Sequence, residues 1–143
     1  MTDLSQAHAT STGQGTFQAR LDIAGSPLIA DEPVAQGGQG TGPSPYDLLC
    51  AALATCTTMT VRFYAQRKGW DIGEVSTRVT HHRAAGESPP DVFDRAVTLS
   101  PDLDPGLRDA LLGIANRCPV HKTLTNGARV NTVLTDYSSS PIY

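Results

Sequence analysis

GPSPYDLLCAALATCTTMTVRFYAQRKG, residues 42 to 69, decides how the chain is read, because it spells one long helix. Ser44 is a preferred N-cap, Pro45 suits the first helical position, and Asp47 sits where a capping-box acid reaches back. Asp47 also puts negative charge at the positive end of the helix dipole. At the other end Arg67 and Lys68 fall in the last turn, and Gly69 can take the left-handed conformation that ends helices. At about 1.5 Å per residue the rod is about 36 Å long. Leu49, Ala52, Leu53, Cys56, Met59, Thr60 and Phe63 recur at helical spacing and form the expected inner face. No charge falls between Leu48 and Val61, yet this run is shorter than a membrane span and holds several threonines. A buried core helix is expected.

Cys56 lies in the middle of that stripe. A free cysteine packs like a small hydrophobe, and burial is its ordinary fate. It lies three turns in, too far for the helix dipole to favour its thiolate. A reactive Cys56 therefore requires a cationic group from elsewhere in the fold.

With 143 residues the chain makes one domain and can bury a core without staples. The net charge of −3 and the lack of a Lys/Arg cluster argue against nucleic acid. No basic amphipathic helix suggests a membrane surface. The opening MTDLSQAHATSTGQG has neither a positive n-region nor an apolar h-region, so a cytoplasmic location is expected. Three cysteines, an odd number, do not make a disulfide framework in a reducing compartment.

Outward from the helix, residues 1–15 are polar and expected to be a loose tail. From Thr16 to Ala24 the pattern alternates, with Phe17, Ala19, Leu21 and Ile23 on one face and Gln18, Arg20 and Asp22 on the other. Gly25 and Ser26 read as a turn, and Pro27 to Ala30 as the return strand. Residues 31–42 are a loop with freedom to cross over and a short strand around Val34. After the helix, Val75, Thr77, Val79 and His81 alternate in a strand, and Val92 to Leu99 is its partner, apolar at Phe93, Val97 and Leu99. Asp104 and Pro105 open a second helix with Leu107, Leu111, Ile114 and Ala115 inward, running to about Arg117. Ala128 to Tyr137 reads as a last strand and residues 138–143 as a tail. The whole is an α+β domain over residues 16–137, with antiparallel sheets packed around the long central helix.

Pro119 directly after Cys118 marks Cys118 as a helix N-cap, where unpaired backbone N–H groups favour a thiolate. Cys118 equally continues the stripe begun at Leu107. Cys118 and His121 have the spacing of half a metal site. Cys50 and Cys56 are six residues apart, about 240° around the helix, so they cannot complete it and no metal is expected. Cys50, off the main stripe, reads as structural. His81 and His82 point to opposite faces of a strand and read as ordinary. Arg20 reads as a solvated charge unless its face is covered; Arg62, Arg67 and Arg117 compete as partners for a thiolate.

The two motifs, GPSPYDLLCAALATCTTMT and, some sixty residues on, ANRCPVHKTL, together resemble the OsmC/Ohr family of thiol-dependent hydroperoxide reductases, nearest to a branch with a CPVHKTL signature. The resemblance spans about residues 16–137. It implies an intertwined homodimer with the long helices packed centrally and each site drawing on both subunits. It implies Cys56 as peroxidatic cysteine, Cys118 as resolving cysteine and Arg20 as the activating arginine. Leu53, Met59 and Phe63 would then wall a site that favours organic hydroperoxides. A dithiol reductant, such as a lipoylated protein, would regenerate the thiols, and no cofactor is needed. One position departs: where the founding branches carry a glutamate after the proline, this chain has Tyr46, with Asp47 one residue later. Two other functions stay open. One is a non-catalytic dimer with inert cysteines; the other is a metal- or small-ligand-binding protein using Cys118 and His121.

Overall fold

The structure, a computed structural model, describes residues 4–136. Strands β1 (Ala7–Ser11), β2 (Ala19–Ile23) and β3 (Ser26–Ala30) form an antiparallel sheet in chain order. Helix α1 (Pro45–Lys68) follows, then the antiparallel pair β4 (Ser76–Arg83) and β5 (Asp91–Thr98). Two shorter helices, α2 (Pro105–Ala115) and α3 (Pro119–Asn126), close the described chain.

Helix α1 forms where its caps put it. The Ser44 hydroxyl accepts from the Asp47 N–H at 3.2 Å, and the Asp47 carboxylate accepts from the Ser44 N–H at 2.8 Å. Gly69 takes φ +71° and ends the helix. By length and composition alone α1 could cross a membrane; here Leu53, Thr57, Val61 and Ala65 form a buried stripe one turn apart, and the helix packs on β4 and α2. The core gathers around its C-terminal half, where Val61 and Ala65 meet Ile72, Val75, Leu111, Ile114 and Ala115.

That stripe corrects the expected inner face. Of its seven residues only Leu53 is buried; Met59 is 66 % exposed and Phe63 52 %. The helix carries apolar side chains on two faces, and the chain's own sheet and α2 cover the other one.

Several local expectations change as well. Ala7–Ser11, expected in a loose tail, pairs with β2 from Ala7↔Ile23 to Ser11↔Ala19. The sequence AHATS has no apolar alternation, and only backbone bonding makes it a strand. Phe17 lies in a turn rather than in β2. Ala24 (φ +51°) and Gly25 (φ +91°) form the two-residue hairpin turn, tied by Gly25 N–H to Asp22 Oδ1 at 2.8 Å. Val34–Gln36 is a single 3₁₀ turn, not a strand. Of the last strand expected over Ala128 to Tyr137, residues 128–136 pair with nothing described, and Val130, Val133 and Leu134 are exposed. A strand exists only where a neighbour takes its N–H and C=O groups. Tyr137 and the tail 138–143 lie outside the described residues.

The loop 31–42 is pinned rather than free. Asp31 is buried, and its carboxylate accepts from the N–H groups of Glu32, Gln39 and Thr41 and from the Thr41 hydroxyl at 2.7 Å. At the loop's end a Cβ on Gly42 would overlap the Ile29 carbonyl oxygen, so only glycine lets the chain pass β3 there. The Thr41 hydroxyl first, and then the three backbone donors, outweigh burial and hold the Asp31 carboxyl below its ordinary value.

Two stability tests follow from these contacts. Leu111→Ala, at a wholly buried site, should cost about 2–5 kcal/mol in urea unfolding. Asp31→Asn turns an acceptor into a donor facing three donors and should lower Tm at neutral pH. Because the folded carboxyl is depressed, the advantage of Asp31 is full above the unfolded value and is lost as pH falls through the folded one. A Tm difference that stays constant down to the acid limit would contradict this.

Candidate active site

The uncovered face of α1 lines an open, mainly apolar groove of about 960 Å³. Met59 and Phe63 line it together with Leu21 and Ile23 of β2, Pro119 and Arg117. Cys56, half-buried, opens on its floor.

Cys118 approaches Cys56 from the other side. It is 0 % exposed and is the N-cap of α3, with Pro119 at the first helical position. Its Sγ accepts from the His121 N–H at 3.5 Å. The spacing of Cys118 and His121 thus serves a cap that uses the backbone of His121. Among the described residues no group of three metal-ligating side chains gathers.

The two thiols interact, and their environments push them apart. Burial pushes the Cys118 thiol up, but hydrogen bonds from Cys56, the His121 N–H, the Thr57 hydroxyl and the Val120 N–H outweigh it and bring it below the ordinary value. Cys56 moves up, first through burial, then through giving its proton toward Cys118. Of the two, Cys118 is the sulfur whose surroundings favour the thiolate.

Among the described residues no arginine or lysine bonds either sulfur. Arg20 is exposed, and by strand alternation it leaves β2 on the face opposite Leu21. Arg62 donates to the Gly73 carbonyl at 2.9 Å; Arg67 lies over Phe63 and Arg117 over Tyr64. Leu53 is buried and borders a second cavity with Arg95 and His121 instead of the groove. Cys50 is half-buried, its thiol pushed up by burial and then by the Asp47 charge.

One residue is absent from the sequence-based expectations, and another, Tyr46, has a contact they do not give. Arg95 stands between Phe93 and Val97 on the inward face of β5, and its guanidinium reaches Thr57, Ala115 and Asn116. An arginine alternating with apolar residues is the signal that could reveal it. Tyr46 stacks on His81 at 4.3 Å between ring centres, and His81 bonds the Asp91 carboxylate at 2.9 Å. Tyr46 thus fastens the start of α1 to β4. His82 faces the other way, toward Asp94.

The family model for OsmC-like protein matches residues 38–133. The chain belongs to the OsmC-like family. Comparison with curated proteins gives no match. Among solved structures, an osmotic stress induced and detoxification response protein from Psychrobacter arcticus is 26 % identical with a TM-score of 0.69, covering 86 % of this chain and 90 % of that one. An organic hydroperoxide resistance protein from Legionella pneumophila shares the fold at 20 % identity and TM-score 0.66, covering 85 % and 89 % of the two chains. One from Elizabethkingia anophelis, with thiocyanate bound, does so at 16 % and 0.67, covering 88 % and 91 %. The α+β architecture with small antiparallel sheets and a long central helix is therefore the OsmC-like fold.

The order of titration in this OsmC-like pair is measurable. With Cys50→Ser and carbon-labelled cysteine, NMR should show Cys118 losing its proton at lower pH than Cys56. The reverse order would contradict the hydrogen bonds that converge on the Cys118 sulfur.

Proposed function

We propose that the chain is a thiol-dependent hydroperoxide reductase in which Cys56 is the peroxidatic and Cys118 the resolving cysteine. The support is the pairing of a groove-facing thiol with a second, helix-capped thiol beneath it. Cys56 passes its proton to Cys118, and the Cys56 thiolate attacks the hydroxyl oxygen of the peroxide. The O–O bond breaks, the alkoxide takes the proton back from Cys118 and leaves as alcohol, and Cys56 becomes a sulfenic acid. The Cys118 thiolate then attacks that sulfur; the disulfide forms and hydroxide leaves, taking a solvent proton to become water. A dithiol, such as a lipoylated protein in a reducing cytoplasm, returns both thiols by exchange and is itself oxidised to a disulfide. Met59 and Phe63 supply apolar contact for an organic hydroperoxide.

The working unit is a homodimer. The exposed Met59 and Phe63 and the unpaired segment 127–136 are surface that a second copy would cover. Arg20, which lies away from the thiols of its own chain, would reach a pair from a second copy and stabilise the thiolate and the leaving oxygen. A second function, a dimer with inert cysteines, is favoured by the raised Cys56 thiol and by Tyr46 in place of an acid.

About one equivalent of tert-butyl hydroperoxide should remove two thiols by intact mass and alkylation, with Cys56 and Cys118 joined and Cys50 free. Cys56→Ser should abolish turnover, and Cys118→Ser should leave a Cys56 sulfenic acid that no disulfide resolves. kcat/KM should be higher for tert-butyl hydroperoxide than for hydrogen peroxide. Three untouched thiols would instead establish the inert dimer.

A further inference from the structure

The guanidinium of Arg95 is half-buried, and among the described residues no carboxylate pairs with it. A buried cation must still be satisfied. Arg95 Nη1 donates to Thr57 Oγ1 at 3.1 Å and to the Ala115 carbonyl at 3.2 Å, and Nη2 donates to Asn116 Oδ1 at 2.6 Å. Ala115 and Asn116 end α2, where the dipole favours a cation. Cys118 follows two residues later. Arg95 therefore ties the chain that delivers Cys118 to the middle of α1.

Thr57 is the link. It is wholly buried, one residue from Cys56; its hydroxyl accepts from Arg95 and donates to the Leu53 carbonyl at 2.7 Å, and it is among the groups that bring the Cys118 thiol down. A hydroxyl has one proton and two lone pairs. The Arg95 N–H occupies a lone pair and pulls electron density from the oxygen, which makes its proton a better donor. Leu53 O already has a helical N–H partner, so it loses little if the hydroxyl turns away. A thiolate is a stronger acceptor than that carbonyl. As Cys118 ionises, the Thr57 proton can swing from Leu53 O to Cys118 Sγ, with the Arg95 charge behind it.

We propose that Arg95 is a positioning residue for the redox pair, acting through the Thr57 hydroxyl to hold the Cys118 sulfur as an anion aimed at Cys56. The other groups facing Cys118 are Cys56 from α1 and His121 from α3. Burial, then the charge of Arg95, lowers the pKa of His121, so its ring stays neutral and adds no cation. Arg117, one residue before Cys118, is turned over the Tyr64 ring. Arg95 is thus the fixed positive charge linked to the sulfur within one chain. This rests on the redox reading of the two cysteines, but its test needs no peroxide.

In a full-length chain with Cys50→Ser and Cys56→Ser, ultraviolet thiolate absorbance against pH reports Cys118 alone. Thr57→Val, isosteric but without a hydroxyl, should raise the midpoint by about one unit, the loss of one bond to a charged acceptor. Thr57→Ser should restore it. Arg95→Gln should raise it as well, and Arg95→Gln with Thr57→Val should raise it no further than Thr57→Val alone. Equal midpoints for Val and Ser at position 57, or a full additional shift from Arg95→Gln without the hydroxyl, would overturn the link. Should Arg95→Gln not fold, the two Thr57 variants decide. Midpoints that move as stated, with no peroxidase turnover in the chain that keeps Cys56, would leave the link standing and remove the reductase. Turnover with unmoved midpoints would do the opposite.

Discussion

A 24-residue helix carries apolar side chains on two faces, and the described chain covers one of them. The stripe Leu53, Thr57, Val61 and Ala65 goes to the chain's own sheet and α2, and there the core forms. The stripe with Cys56, Met59 and Phe63 is left to the groove. The placement of Cys56 follows from that division. Turned by one residue toward Thr57 it would be core; one residue the other way, at Thr55, it would stand exposed. It sits on the border, reachable from the groove and in contact with what lies beneath.

What lies beneath is set by a backbone rule. Pro119 cannot donate an N–H and fits the first turn of a helix, so the residue before it becomes the cap. That residue is Cys118, and its sulfur does for α3 what Ser44 oxygen does for α1. A sulfur is a weaker acceptor than a hydroxyl oxygen unless it is ionised, so the cap bond and the thiolate support each other. Here burial, which usually silences a cysteine, is outweighed by the groups around the Cys118 sulfur, Cys56, the first-turn amides and Thr57 among them. The cost of burying charge is offset by donors already fixed in place.

Much of this can be read from the residues, and the exceptions have one cause. The capping box of α1, the Gly69 stop, the N-cap at Cys118 and the inward set of β4 are local: each depends on residues within a turn or a strand. What the residues do not disclose is non-local. AHATS becomes a strand because β2 lies beside it, and residues 127–136 do not because nothing described lies beside them, although their side chains look far more strand-like. Apolar periodicity locates a face of α1 but not which of two faces the chain itself covers. Arg95 escapes notice because a charge inside an apolar alternation looks like a break in it. Its acceptors, Thr57, Ala115 and Asn116, come from two other elements, and spacing along β5 cannot reveal them.

Tyr46 and Arg95 bear on the same question from opposite ends. A buried thiol pair needs positive charge nearby, and an acid next to the opening proline could hold an arginine for it. With Tyr46 in that place, the start of α1 is spent on His81 and Asp91, an aromatic and hydrogen-bonded joint to the β4–β5 pair that bonds neither cysteine. Arg95 of β5 bonds the Thr57 hydroxyl, and in the proposed link its charge acts through that hydroxyl on Cys118 rather than on Cys56. An arginine placed directly on Cys56 would favour that thiolate before any substrate arrives. In the proposed reaction, a charge placed behind Cys118 favours the proton on Cys56 at rest and lets Cys118 receive it as the attack begins. In that scheme the groove-facing sulfur spends little time as an anion, which restrains its unselective oxidation, while the buried one is ready to close the disulfide.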